Sequence, residues 1–182
     1  MRDAALAVPA PEPLVQLCTF RVGGEDYAVD IMRVREIIQP LPVTSVPRAP
    51  PFIEGVVRIR GDVIPVVDVR KRFGLPAAAP ERRNKLVVVT MAGRRLALVV
   101  DEVCEVIRIP RSDIRPAPAL VGEGGPRFFL GVCGGEGSPT APRRGGGAAR
   151  LRLLLNVKAL LDPVTPGEVE AARAQAEASR RA

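Results

Sequence analysis

The chain has 182 residues, enough for one full-sized domain or two small units sharing a core. Hydrophobic residues make up 47% and mean hydropathy is +0.12, which excludes a globally disordered chain, while aromatics at 3% point to a largely aliphatic core. The net charge of +7 raises nucleic acid as a partner, but lysines are confined to Lys71, Lys85 and Lys158. The arginines are scattered and few rings exist to stack on bases, so a basic surface facing an acidic protein partner is the preferred reading.

No segment approaches the roughly 18 unbroken apolar residues of a membrane span, and Met1–Pro13 lacks the apolar stretch of a signal peptide. A soluble cytoplasmic chain is expected. Cys18, Cys104 and Cys133 form no CxxC pair, so buried thiols are expected rather than disulfides or a zinc site.

In chain order, Val15–Val22 reads as a strand ended by Gly23-Gly24, and Tyr27–Ile31 resumes the apolar pattern. Val56–Arg60 alternates, Gly61-Asp62 turns, and Val63–Val69 follows as a strand, with Pro65 at an edge or bulge. Asp68, interrupting that strand, reads as a solvated or capping residue. Leu86–Met91, Ala92-Gly93 and Leu96–Val100 spell another hairpin, and Leu151–Leu155 is the last strand. Many short strands with Gly turns predict small barrels or a sandwich.

One plan is written twice. Tyr27–Ile38 aligns with Leu96–Ile107, placing Ala28 on Ala97, Val34 on Val103, Glu36 on Glu105 and Ile38 on Ile107. Phe52–Val56 then matches Phe128–Val132, and Val67–Val69 matches Leu155–Val157. The repeat predicts two small barrels packed as a pseudo-symmetric pair. Residues 134–150 form a Gly- and Pro-rich insertion in the second copy, read as a flexible surface loop. Thr165-Pro166-Gly167-Glu168 has capping-box spacing and predicts a helical tail over 162–182.

The chain contains no histidine, which removes Ser-His and Cys-His nucleophile pairs, the common zinc constellations and an imidazole base. No phosphate loop or dinucleotide fingerprint occurs. Neither catalysis, nor a cofactor, nor a metal is expected. Arg60-Gly61-Asp62 is a hairpin turn rather than an adhesion motif. Arg60 should be exposed beside it, whereas Val34 reads equally as core or contact.

The string Tyr27-Ala28-Val29-Asp30-Ile31, with Val34 and Glu36-Ile37-Ile38, resembles the opening of a CheW-like domain. The resemblance continues through Thr44, Val46-Pro47 and Pro51–Val56. It is strongest at Arg60-Gly61-Asp62-Val63-Ile64-Pro65-Val66-Val67-Asp68-Val69-Arg70 and Arg72-Phe73-Gly74. Leu98–Val103, Glu105-Val106 and Ile114–Pro118 fit as well. This resemblance implies an all-β CheW-like fold of two pseudo-symmetric, intertwined five-stranded SH3-like barrels over residues 15–161, with short helices and a flexible N-terminus over 1–14. It implies a non-catalytic adaptor that binds the cytoplasmic hairpin tip of a chemoreceptor, largely in an apolar groove between the subdomains. The second implied partner is the regulatory domain of a CheA-type histidine kinase, with no nucleic acid and no membrane insertion, at membrane-associated arrays. Carried over by position, Val34, Glu36, Gly55 and Arg60 belong to the partner-binding surfaces. Arg58, where the family usually has Asn, adds a positive charge beside them. Departures at Arg58-Ile59 and Asn156, the insertion and the tail leave open a chemosensory pathway other than the flagellar one.

Overall fold

The computed structural model describes residues 12–91, 93–117, 128–134 and 150–161. The described residues form ten strands: β1 (Leu14–Val22), β2 (Glu25–Asp30), β3 (Val34–Ile38), β4 (Ile53–Ile59), β5 (Asp62–Asp68), β6 (Lys85–Met91), β7 (Arg94–Val100), β8 (Glu102–Pro110), β9 (Phe129–Gly134) and β10 (Leu151–Leu155). A four-residue helix, α1 (Val69–Arg72), follows β5, and single 3-10 turns occupy Ile31–Arg33, Arg111–Asp113 and Ala159–Leu161. The all-β class is as expected. Strand β1 begins at Leu14, and Glu12 accepts the Ser112 N–H at 2.9 Å, so the last residues of the expected flexible N-terminus are tied down. The insertion and the helical tail read from the sequence lie outside the described residues, apart from the flanking Gly134 and Arg150.

The strands form two five-stranded sheets, ordered β8-β1-β2-β10-β9 and β3-β6-β7-β5-β4. If β1–β5 are the first copy of the repeat and β6–β10 the second, neither sheet belongs to one copy. The first sheet joins β1 and β2 to β8–β10, and the second joins β6 and β7 to β3–β5. The chain changes sheet after β2, through the Ile31–Arg33 turn, and after β7, through Asp101 alone. Registers are reproduced residue for residue. Ile38 opposite Leu86 is matched by Ile107 opposite Leu17, Val66 opposite Ala97 by Leu154 opposite Ala28, and Ile53 opposite Val67 by Phe129 opposite Leu155.

The pattern of burial explains why β6 and β7 read as nearly unbroken apolar runs: both faces are covered. On one face of the second sheet, Val57, Ile59, Ile64, Val66, Leu86, Val88 and Ala97 pack together. On the corresponding face of the first sheet, Leu17, Ala28, Ile109, Cys133 and Leu154 do the same. The opposite faces meet in a larger shared core. The interiors of the single sheets are aliphatic, as composition suggests, but the shared core is not. All five Phe and the single Tyr of the chain are there, with Tyr27 stacked within 5.5–6.2 Å of Phe20, Phe73 and Phe129. Burial, reinforced by the charges of Glu25 and Asp101, pushes the Tyr27 hydroxyl up to about 12, so the ring stays neutral.

Two local features depart from the sequence reading. Cys104 is exposed, although Cys18 and Cys133 are buried as expected. A bulge between Cys18 and Phe20 in the β1–β8 ladder accounts for it. The buried Thr19 hydroxyl donates to the Glu105 carbonyl at 2.9 Å and accepts its N–H at 3.2 Å, satisfying backbone groups the bulge leaves free. Pro65 lies in a strand with partners on both sides, not at an edge. The parallel ladder with β7 begins only at Val66, so the missing Pro65 N–H removes no pairing from it.

Candidate partner-binding surface

Strand β3 alternates half-buried Val34, Glu36 and Ile38 with exposed Arg35 and Ile37. Residues 39–48 that follow are all exposed, and they include Leu41, Val43 and Val46 at 38–42% exposure. Pro40, Pro42, Pro47, Pro50 and Pro51 keep most of this connection out of any ladder. Thr44 alone pairs, exchanging backbone hydrogen bonds of 2.9 and 2.8 Å with Val56 of β4. The twin contact in the other sheet joins Arg115 to Val132.

Gly55 makes that pairing possible. Its φ is +145°, and a Cβ there would lie 2.1 Å from the Thr44 carbonyl oxygen and 2.8 Å from Val43 Cγ1. Gly55 is buried, so its part in the surface is to let the apolar connection lie against β4.

The β4–β5 hairpin closes through two residues, Arg60 and Gly61, since Ile59 faces Asp62 directly. Both have positive φ, 51° and 92°, as a type I′ turn requires. Gly is at home there and Arg is not: a non-glycine in the left-handed region costs roughly 1–2 kcal/mol. The Arg60 side chain is 79% exposed, with its Nη2 3.2 Å from Glu36 Oε2 on β3. Strands β3 and β4 end the sheet order, so this ion pair links the turn after β4 to β3, while the Thr44–Val56 bridge ties the connection between them to β4.

The five residues singled out from the sequence therefore divide. Glu36 and Arg60 are in direct contact. Arg58 is exposed on the outer side of β4, opposite Val63 of β5, which is itself 61% exposed. Gly55 is a buried packing position, and Val34 is half-buried against the shared core, opposite Val89. Missed were the exposed apolar side chains Ile37, Leu41, Val43, Val46 and Val63. The signal was the run of apolar residues between prolines, which cannot alternate into a strand and so has no face to bury.

Elsewhere several charged groups pair with one another. At the second change of sheet, Arg70 grips Asp101 with two hydrogen bonds of 2.8 and 2.6 Å, and the Gly23 N–H donates to the same carboxylate at 2.8 Å. Burial alone would raise the Asp101 carboxyl, but the Arg70 fork and the Gly23 N–H outweigh it and hold the group below the usual range. A cavity of about 220 Å³ beside it and one of about 170 Å³ near Cys104 are both lined mainly by charged side chains, so neither is the apolar groove the resemblance implies. Among the described residues no cluster of three or more metal-ligating side chains occurs, and no helix is long and apolar enough to cross a membrane.

Comparison with known proteins gives this arrangement its context. The model of the CheW-like domain family matches residues 16–164. The chain belongs to the CheW-like family. It is 38% identical to the chemotaxis protein CheW of Rhizobium meliloti over 122 residues, covering 67% of this chain and 79% of that protein. It is 34% identical to protein FrzA of Myxococcus xanthus over 139 residues, 76% of this chain and 86% of its relative. Its fold is similar to the crystal structure of the scaffolding protein TtCheW from Thermoanaerobacter tengcongensis, with a TM-score of 0.71 at 26% identity, covering 83% of this chain and 94% of that one. Membership in this family makes the chain a signalling scaffold and not an enzyme.

Proposed function

We propose that the chain is an adaptor that couples chemoreceptors to a CheA-type histidine kinase, working in the cytoplasm at membrane-associated receptor arrays. The observation that carries the reading is Arg60. A family position implied in partner binding holds an exposed arginine in a backbone conformation that glycine or asparagine would adopt more easily. Strain kept at an exposed position, beside a band of uncovered apolar side chains, fits a contact made with another protein. Arg60, Arg58 and Glu36 supply the charged part of this surface, and Ile37, Leu41, Val43 and Val46 the apolar part, with Val34 and Gly55 beneath. The adaptor does no chemistry. A shift in the receptor reaches the kinase because both bind one body whose two repeat copies exchange strands.

The test separates function from fold. Arg60→Gly removes the side chain and relieves the turn, so it should leave the melting temperature unchanged or raise it. Affinity for the kinase regulatory domain or the receptor hairpin should fall at least about tenfold, the scale of a central interface arginine. Unchanged affinity for both would remove Arg60 from the surface. Not every relative is named as a chemotaxis protein, as FrzA shows. That observation supports a second reading, in which the same adaptor chemistry serves another output.

A further inference from the structure

The shared core contains one buried charge at an unusual place. Arg72, the last residue of α1, is 7% exposed, and its guanidinium carbon lies 4.3 Å from the centre of the Phe52 ring and 4.5 Å from that of Phe128. Its Nε donates to the Leu160 carbonyl at 3.1 Å and its Nη2 to the Ala159 carbonyl at 3.4 Å. Phe52 and Phe128 are the same position in the two copies of the repeat. Each immediately precedes a terminal strand, β4 of the second sheet and β9 of the first, and each accepts an equivalent backbone bond, from Asp68 and from Asn156. The alignment of Val67–Val69 with Leu155–Val157, continued without a gap, sets Arg72 on Leu160. Arg72 thus grips the backbone of its own counterpart.

A group that meets both copies of a repeat through the same residue lies at the approximate two-fold axis relating them. Only one side chain fits there, and a second arginine would bring two like charges to one point. Arg at one position and Leu at the other avoids that. The flat guanidinium offers two faces to two rings while its edge bonds carbonyls, which an ammonium cannot do.

We propose that Arg72 is the positioning residue that sets how the two sheets sit against each other, and so the relative placement of the repeat-related terminal strands β4 and β9. This deepens the adaptor reading, since β4 carries Arg58 and leads into Arg60, but only its consequence for signalling rests on that reading.

The test uses the protein alone. The exposed Cys104 of the first sheet and a cysteine introduced by Val63→Cys in the second accept spin labels, while Cys18 and Cys133 are buried. The distance distribution should be narrow with Arg72 and broadened or displaced with Arg72→Met. Arg72→Lys, which keeps the charge, should not restore it. Amide exchange at Asp68 and Asn156 should quicken roughly tenfold in the variants, with exchange elsewhere in each sheet unchanged. A loss of folding would quicken every amide, so the two effects separate. If Arg72→Met does not fold, Phe52→Leu, which keeps apolar bulk without a ring face, should broaden the distribution instead. A distribution unchanged in both width and position in the folded variants, or full rescue by lysine, overturns the proposal and leaves the adaptor reading standing. Failure of the parent protein to bind any receptor or kinase would do the reverse.

Discussion

Gly55→Ala should be among the most destabilising single-methyl changes in the protein, and its twin Gly131→Ala should be milder. At Gly55 two penalties combine. The φ of +145° is a conformation that an L side chain rarely adopts, costing roughly 1–3 kcal/mol. The new Cβ would also sit 2.1 Å from a backbone oxygen, so the Thr44 segment has to withdraw and its two hydrogen bonds with Val56 lengthen or break. At about 1 kcal/mol net for each of the two bonds, the total comes to roughly 3–5 kcal/mol. At Gly131 the same clash is with the Arg115 oxygen at 2.5 Å, but without a positive φ, so only the second penalty applies. Urea unfolding of both variants, followed by circular dichroism, gives the two costs directly. Equal losses would show that backbone strain at Gly55 is absent, and a loss under about 0.5 kcal/mol there would refute the close approach itself.

Other outcomes follow from the same geometry. Thr19→Val, which makes this position match its twin Val88, should cost about 1–3 kcal/mol in urea unfolding, because the Glu105 N–H and carbonyl at the bulge lose their partner; a neutral change would mean that water reaches the bulge. The Asp101 carboxyl is held low in the folded protein, so its contribution to stability is present above the ordinary carboxylate pKa and is lost as pH falls through the depressed one. The gap in melting temperature between parent and Asp101→Asn should therefore be widest near neutral pH and close on acidification, and a constant gap would contradict the pairing with Arg70.

Much of the fold was legible because its determinants are local. Gly23-Gly24, Gly61 and Gly93 mark hairpins by backbone freedom alone, although the β4–β5 turn falls on Arg60-Gly61, one residue before the Gly61-Asp62 expected; Asp68 does cap α1, accepting the Lys71 N–H at 3.1 Å. The repeat was legible too, down to register. What it could not show is that the copies exchange strands, because a strand's alternation does not specify which of two equivalent sheets it completes. The apolar face of residues 41–46 was hidden for a related reason: hydrophobicity without periodicity does not say inside or outside. Arg72 was quoted only as part of a family string. Its role emerges when two phenylalanines 76 positions apart in the numbering, Phe52 and Phe128, are found on either side of it.

The central claim is that one body carries both partner contacts. Its most direct test is sedimentation of the purified chain with receptor hairpins and a kinase regulatory domain from the same genome, each alone and then together. The account predicts binding to each partner separately and a complex of all three, with Arg60→Gly weakening at least one contact. Failure of the chain to bind either partner, or competition of the two for one site, would contradict it.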